Sequence, residues 1–590
     1  MRSPSSVLLR RLACSLIVAG CLLALSPIAA AAQTSATAVK FTLKSDISDT
    51  SAVDVQLSFN MKNGEKALVK PSDQASQVSS AGQPPSVELL PVNNPGYTVQ
   101  AQAGPDAGWL VTATKDGSVA FAYKVKFPAP APATAAGEAP GAVAAPRSVA
   151  SMDLKAFAAS DALLVPQSLS GEPLTQQYTV AVTTAQGEHV LSPWKSVTGG
   201  FSVGSTDELL NNYIAWGKIT VSNLRSTGPA INAGFTPGLS ASEISAYGNN
   251  LLKIYDEMVR VMGVRANETN ATVLVTGSAK YGLKAPASQS LRDSYVLFDG
   301  ATTLKGPAAA AASKGWFDLW NGVSLVSRKN AGSSWLQEGL PWFYSERVAG
   351  KLGLMDVNAA YTEFTGVYAS YLTDPTALTI SLTDAEKNPG PPRLLSTKGA
   401  ALCAALQVKL SKEATGGTKD IEWLLGQMSA KFNHFKGVDY SLVDVSEILE
   451  KATGTSWDRF FSGPVSGTTV VLASEFSTTD VFGSGGVVGG AQHLAGKGSS
   501  KNWIYLAIAI VIIFLIPVIF STYIRRSVKI DVSMPSIFPG LEDEEDEDKD
   551  IEIPKSGVGE SVIDVEPNVK PEKDEEQTTE PGDGPSNPAD

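Results

Sequence analysis

Apolar residues repeat on two different periods in the two halves of this chain, and that change limits the architectures open to it. Between Ala38 and Lys126 they alternate, as in VDVQLSF and FAYKVKF, and clusters of Asn, Gly and Pro break the runs. Alternation buries one face of a strand, so this part reads as an antiparallel sandwich. Strand signals resume near Tyr178 to Thr183. From Thr206 the apolar spacing becomes helical, in DELLNNYIAWGKI and in EISAYGNNLLKIYDEMVRVM, and helical segments run on to about Phe461. A length of 590 with 43% hydrophobic residues is ample for more than one core. The fold class is therefore α+β and multidomain: a β-rich, sandwich-like domain over 33–200, then a mostly helical domain over 201–475. A Pro/Ala-rich insert at 127–147 interrupts the first domain as an extended segment.

Both ends of the chain carry targeting signals. Residues 1–32 read as a secretory signal peptide, with Arg2, Arg10 and Arg11 ahead of an apolar run and Ala30 to Ala32 offering a cleavage site before Gln33. A lipobox-like Val18-Ala19-Gly20-Cys21 competes with it. Ordinary cleavage is favoured because the apolar run continues past Cys21. Near the other end, Trp503 to Ile524 contains no charged residue and matches the length of a membrane-spanning helix. Trp503, Tyr505 and Tyr523 stand where interfacial aromatics belong, and Arg525, Arg526 and Lys529 mark the cytoplasmic side. The expected layout is a Gly/Ser-rich stalk at 476–501, one transmembrane helix at 502–524 and a disordered tail at 525–590. The protein is then a single-pass cell-membrane protein with its N-terminal body outside and its tail in the cytoplasm.

Charge and cysteine content narrow the chemistry. From Leu541 to the end there are 19 acidic and 4 basic residues, whereas the whole chain carries only −12. The low pI is thus a property of the tail, which suits a solvating role or a basic cytoplasmic partner, and nucleic acid is not expected as a partner. Cys14 and Cys21 fall in the leader, so Cys403 stands alone in the body and no intramolecular disulfide is available there. His189, His434 and His493 share no short spacing, so no two imidazoles fall on one helix face.

The most specific segment runs from Lys314 to Tyr344, KGWFDLWNGVSLVSRKNAGSSWLQEGLPWFY. It resembles the paired helices of the glycyl aminopeptidase family of gluzincin, thermolysin-like metallopeptidases, H-E-x-x-H-x-W-N-G followed by a W-x-x-E-G core. Phe317, Leu319, Trp320, Asn321 and Gly322 are kept in the first helix, and Trp335, Leu336, Gln337, Glu338, Gly339 and Tyr344 in the second. STKGAALCAALQVKL from Ser396 resembles the family's Y-x-K-G-A helix, DRFFSGPVSGT its closing segment, and YGLKAPASQS from Tyr281 the strand that lines its substrate cleft. The likeness covers roughly Val39 to Val470. It implies a thermolysin-like peptidase domain whose cleft is bordered by Lys284, Lys314, Asp318, Trp335, Glu338 and Tyr344.

The resemblance also shows what has changed. The family's two histidine ligands fall on Lys314 and Asp318, its water-activating glutamate on Gly315, and its oxyanion tyrosine on Ser396. The glutamate and histidine of the cleft strand fall on Lys284 and Ala285. Only the third ligand position, Glu338, is retained. Neutral imidazoles are the strong zinc donors, a lysine ammonium repels a dication, and glycine cannot take a proton. The resemblance therefore implies a degenerate member with no cofactor, holding a peptide, a protein or an envelope component in the old cleft. The rival is an active membrane-bound metallo-aminopeptidase with an atypical zinc centre. Locally, Lys314 and Asp318 read either as a solvated i, i+4 pair or, with Glu338, as an ammonium between two carboxylates. Trp316, Trp320, Trp335 and Trp342 read as a packed aromatic cluster. Sequons at Asn267 and Asn270 suggest a surface loop.

Overall fold

The computed structural model describes residues 38–482 apart from 47, 72–84, 92–95, 103–107, 129–145, 225–229, 266–269, 282, 389–391, 416–418, 472–475 and 477–480. The expected signal segment, most of the Pro/Ala-rich insert, nearly all of the stalk, the apolar Trp503 to Ile524 span and the acidic tail lie outside them, as does Asn267. Asn270 stands directly before a strand. No helix among the described residues is long and apolar enough to cross a membrane.

The N-terminal part is a sandwich. Its larger sheet orders seven strands as Lys195–Val197, Gly200–Val203, Tyr178–Thr183, Val39–Ser45, Ala52–Met61, Gly117–Lys126 and Ser86–Leu89. All its pairings are antiparallel except Val39–Ser45 with Tyr178–Thr183, which run parallel. Ala52–Met61 alternates almost strictly between buried and accessible positions. A four-stranded sheet, Val165–Gln167, Lys66–Lys70, Gly108–Ala113 and Tyr97–Gln102, closes over the core. Phe41, Leu57, Phe121, Val69 and Val111 fill the space between the sheets, and Ile214 and Trp216 belong to the same core although they lie beyond residue 200.

DELLNNYIAWGKI, expected as a helix, divides. Thr206–Leu210 is a short helix, and Tyr213–Gly217 is a strand antiparallel to Leu154–Ala158. All five residues of that strand are buried, and a short run with no polar face carries no period to separate helix from strand. Tertiary pairing decided it.

The peptidase-like part is not helical from its start. It opens with a five-stranded sheet ordered Thr220–Leu224, Ile231–Phe235, Ala271–Thr276, Ser294–Phe298 and Ala287–Ser290. The central pairs are parallel and the two outer pairs antiparallel, which leaves Ala287–Ser290 at the edge. Ala271–Thr276 and Ser294–Phe298 are buried at every position, as strands covered on both faces must be. Helix α1 (Ala241–Met262) begins with a Ser240/Glu243 capping box and packs on this sheet through Tyr247, Leu251 and Tyr255. The remaining long helices are α2 (Pro307–Phe317), α3 (Ser334–Lys351), α4 (Val357–Leu372), α5 (Pro392–Glu413), α6 (Ile421–Lys431) and α7 (Leu442–Thr453). The two parts are joined by polar contacts: the Asp293 amide donates to Asn212 Oδ1 at 2.9 Å, and the Tyr213 amide to Ser294 Oγ at 2.7 Å.

Helices α3 and α5 meet backbone to backbone. A Cβ on Gly339 would lie 2.3 Å from the Gly399 carbonyl carbon, and one on Gly399 would lie 2.4 Å from the Trp335 carbonyl oxygen. The E-G and K-G pairs of the sequence are thus two halves of one close approach. Gly399→Ala is expected to destabilise the protein by about 1–3 kcal/mol or more through overpacking. Gly350→Ala, in the same helix α3 but with nothing nearer than 3.8 Å, is expected to be neutral or to gain up to about 1 kcal/mol. Denaturant unfolding of the two variants checks the contrast, and equal effects would mean that the crossing tolerates a side chain.

Candidate functional site

Helix α2 starts at Pro307, whose missing N–H costs nothing at a first helical position, and ends at Phe317 with Asp318 as its cap residue. Lys314 therefore looks one turn along the helix at Asp318, and its Nζ lies 2.9 Å from Asp318 Oδ2. The same ammonium sits 5.5 Å from the centroid of the Trp342 ring on α3. Beyond the helix, Trp320, Asn321 and Gly322 form a turn in which Gly322 has φ of 82°.

Pro341 explains why Asn321 is there. A proline inside α3 has no N–H for the carbonyl four residues back, which belongs to Gln337. Asn321 Nδ2 donates to that carbonyl at 2.7 Å. Gln337 returns the brace, accepting from the Ser327 amide on Oε1 at 2.8 Å. The turn after α2 is thereby fixed to α3, which brings Glu338 to the same cleft as Lys314 and Asp318.

That cleft has a volume of about 800 Å3. One side carries Lys314, Asp318, Glu338 and Trp342, and the edge strand contributes Ser288, Gln289 and Ser290. Asp207, Arg292, His434 and Phe435 complete it. Arg292 binds Asp207 and lies 4.9 Å from the centre of the Phe435 ring. His434 Nδ1 is 2.7 Å from Asp439 Oδ1. These lining residues are scattered over more than two hundred positions, and no short motif gathers them, which is why sequence reasoning missed them. Pro341 was the one signal available: a proline within a predicted helix needs a donor from elsewhere.

The expected site residues separate into two groups. Lys314, Asp318 and Glu338 line the cleft, but they do not form a closed triad. Lys314 pairs with Asp318, and among the described residues no basic nitrogen lies within 4.0 Å of Glu338. Glu338 is exposed to solvent at the cleft wall. Desolvation by the surrounding protein raises its pKa, Asp318 raises it further, and Lys314 opposes both. Trp335 and Tyr344, expected at the cleft, are instead core residues: Trp335 packs on Phe461 and Tyr344 on Phe317, with ring centres 6.0 and 5.2 Å apart. Lys284 and Ala285 are exposed in the turn before the edge strand and do not line the cleft. Ser396 gives its hydroxyl to the Arg393 carbonyl at 3.0 Å in the first turn of α5, also away from the lining. Of the four tryptophans, Trp316, Trp320 and Trp335 are core and Trp342 borders the cleft.

Gly315 has more than a missing side chain. A Cβ there would lie 2.5 and 2.6 Å from the Tyr295 ring, and the ring itself is packed edge-on to Trp316 at 4.9 Å. A longer residue at this position has no room while Tyr295 stays in place. A catalytic zinc requires three protein ligands and an open fourth position. Here Asp318 is engaged by an ammonium, Glu338 is a single carboxylate, and the imidazole that lines the cleft, His434, is paired with Asp439. Among the described residues no group of three or more His, Cys, Asp or Glu is placed to hold a metal. These residues do not fit that ion.

No protein-family model matches the sequence, and no curated protein does. Solved structures do match. An aminopeptidase N family protein from Idiomarina loihiensis aligns with 74% of this chain and 77% of its own, at 13% identity and a TM-score of 0.56. The chain has the aminopeptidase N fold. An M1 zinc metallopeptidase from Deinococcus radiodurans covers 73% of this chain and 93% of its own at 13% identity, with a TM-score of 0.43. At such identity the likeness speaks of the fold alone.

One further residue of this aminopeptidase N fold stands out on α5. Lys398 is wholly shielded from solvent, and its Nζ has no hydrogen-bond partner among the described residues. Burial lowers its pKa from the ordinary 10.5 to about 8. The folded state then binds fewer protons than the unfolded chain between those values, so this group's contribution makes stability rise with pH across that window. Lys398→Met is expected to stabilise the protein at neutral pH by on the order of 1–2 kcal/mol. The gain should shrink as pH climbs from about 8 toward 10.5. Melting curves of both proteins across that range check it, and a gain independent of pH would assign the effect to packing.

Proposed function

We propose that this protein is a non-catalytic, degenerate relative of the glycyl aminopeptidases that binds a peptide, a protein or an envelope component in its cleft. The observation that carries the reading is the Tyr295 ring in the space above Gly315, where a general base would have to stand. The Lys314–Asp318 ion pair adds to it, since it ties up one carboxylate and puts a positive charge beside the other. The purified full-length protein is expected to hold no stoichiometric zinc and to leave glycyl and alanyl peptides uncut. Elemental analysis finding one tightly held zinc per chain, with hydrolysis that a chelator abolishes, would establish the rival active enzyme with an atypical centre.

The same proposal anchors the protein in a membrane. Support comes from the leader-like residues 1–32, the uncharged Trp503 to Ile524 and the Arg525-Arg526 flank. The body then faces outward, and the acidic tail meets the cytoplasm and any basic partner there. Protease added to intact cells is expected to remove the body and spare the tail. A cleaved tail with an intact body would reverse the orientation.

A further inference from the structure

The chain does not leave the body where the expected stalk begins. Phe476 packs on Phe364 and Tyr368, and Val481 and Phe482 are buried. Arg347 of α3 gives its Nη1 to the Val481 carbonyl at 2.8 Å. The Phe482 ring lies 6.3 Å from that of Phe343 on α3, and 6.1 Å from those of Tyr361 and Phe364 on α4. It therefore sits over the seam between these two helices.

A carboxyl lies in that seam. The helices run antiparallel, and two contacts set their register. Phe343 meets Phe364 with ring centres 5.8 Å apart, and a Cβ on Gly350 would lie 3.8 Å from Ala360 and from Val357. Glu346 is one turn along α3 from Phe343, which brings it level with Tyr361, among the rings that Phe482 touches. It is half-buried, and its Oε2 is buried with no hydrogen-bond partner among the described residues. No basic nitrogen among them lies within 4.0 Å of it either. The titratable groups of α4 here are Tyr361 and Glu363, and Val481 and Phe482 bring none. On α3 itself Arg347 is held by Asp420, and Lys351 by Glu257 of α1 and Glu422 of α6. Lys314 of α2 is paired with Asp318, and Lys398 of α5 adjoins the distant Gly339 crossing. Among the described charges Glu363 is the one that acts on Glu346, and it has the same sign. Burial first, and Glu363 next, push the Glu346 pKa from the ordinary 4.5 up to about 8.

We propose that Phe482 and the α3–α4 seam form a proton-operated catch: the chain end stays seated while Glu346 carries its proton and loosens when that proton is lost. A neutral carboxyl fits among aromatic rings. An ionised one would face Glu363 beneath an apolar cover, and exchanging that cover for water relieves the cost. With the seam open the carboxyl titrates near 4.5, and with it closed near 8. Between those values the closed form binds more protons, so closure weakens as pH rises, by up to about tenfold per pH unit, and levels off above about 8. The catch goes beyond the binding role proposed above and does not depend on it.

Hydrogen exchange of the full-length protein, followed by mass spectrometry on peptides that contain Val481 and Phe482, tests this from about pH 5 to about pH 9. After correction for the intrinsic exchange rate, protection of this segment is expected to fall as pH climbs and to flatten near pH 8. In Glu346→Gln, which keeps the shape and removes the titration, protection should stay level across the range. In Glu363→Gln, which removes the like charge, the flattening should move to lower pH. A wild-type profile that is flat, or one that Glu346→Gln reproduces, overturns the proposal. So does an unchanged flattening point in Glu363→Gln, which decides the matter should Glu346→Gln fail to fold. A parallel loss of protection in the sandwich strand Ala52–Met61 would mean that the whole protein opens, and that too removes the catch.

Discussion

The site depends on two helices touching through glycine. Gly339 of α3 and Gly399 of α5 leave no space for a Cβ on either side, so the backbones approach as closely as chain geometry allows. That approach sets the position of α3, and Glu338 is the residue next to the crossing. The other end of α3 is held differently. Lys351 bridges Glu257 of α1 and Glu422 of α6 at 2.8 and 2.7 Å, and Arg347 binds Asp420 at 2.8 Å. Packing fixes one end of the helix and charge the other, and beside the packed end Gln337, Glu338, Pro341 and Trp342 line the cleft.

The frame of the cleft and the groups that line it rest on different residues. The frame rests on glycines, buried aromatic rings and the Asn321 bond to the carbonyl that Pro341 leaves free. None of these takes part in proton transfer or metal binding. At Lys314, Gly315 and Asp318 the arrangement is local: an ion pair joins the first and last, and a tyrosine ring from the neighbouring strand packs against Gly315. A core rejects voids, so the glycine at 315 and the Tyr295 ring are one packing solution.

Much of the architecture was legible from the residues. The alternation of Ala52–Met61 and the helical spacing of Ala241–Met262 each matched the element formed, because each has one buried face and one wet one. Tyr213–Gly217 was misread for the opposite reason, being buried throughout. At the site, the resemblance to the peptidase motif pointed to Lys314, Asp318 and Glu338, all of which reach the cleft. It also pointed to Trp335 and Tyr344, which face the core, since a motif records that a residue matters and not the side of the helix it serves.

What the sequence by itself determined is what each residue is able to do: glycine at 315 cannot act as a base, and lysine at 314 is a poor partner for a dication. Those limits are properties of side chains and need no coordinates. Which charges neutralise one another was decided only by the tertiary structure. Arg292 finds Asp207 across 85 residues, Lys314 finds Asp318 within one turn, and Glu338 is left without a counter-ion in contact among the described residues. Pairing falls off within a few ångströms in water, so it follows distances in space that spacing along a chain does not encode.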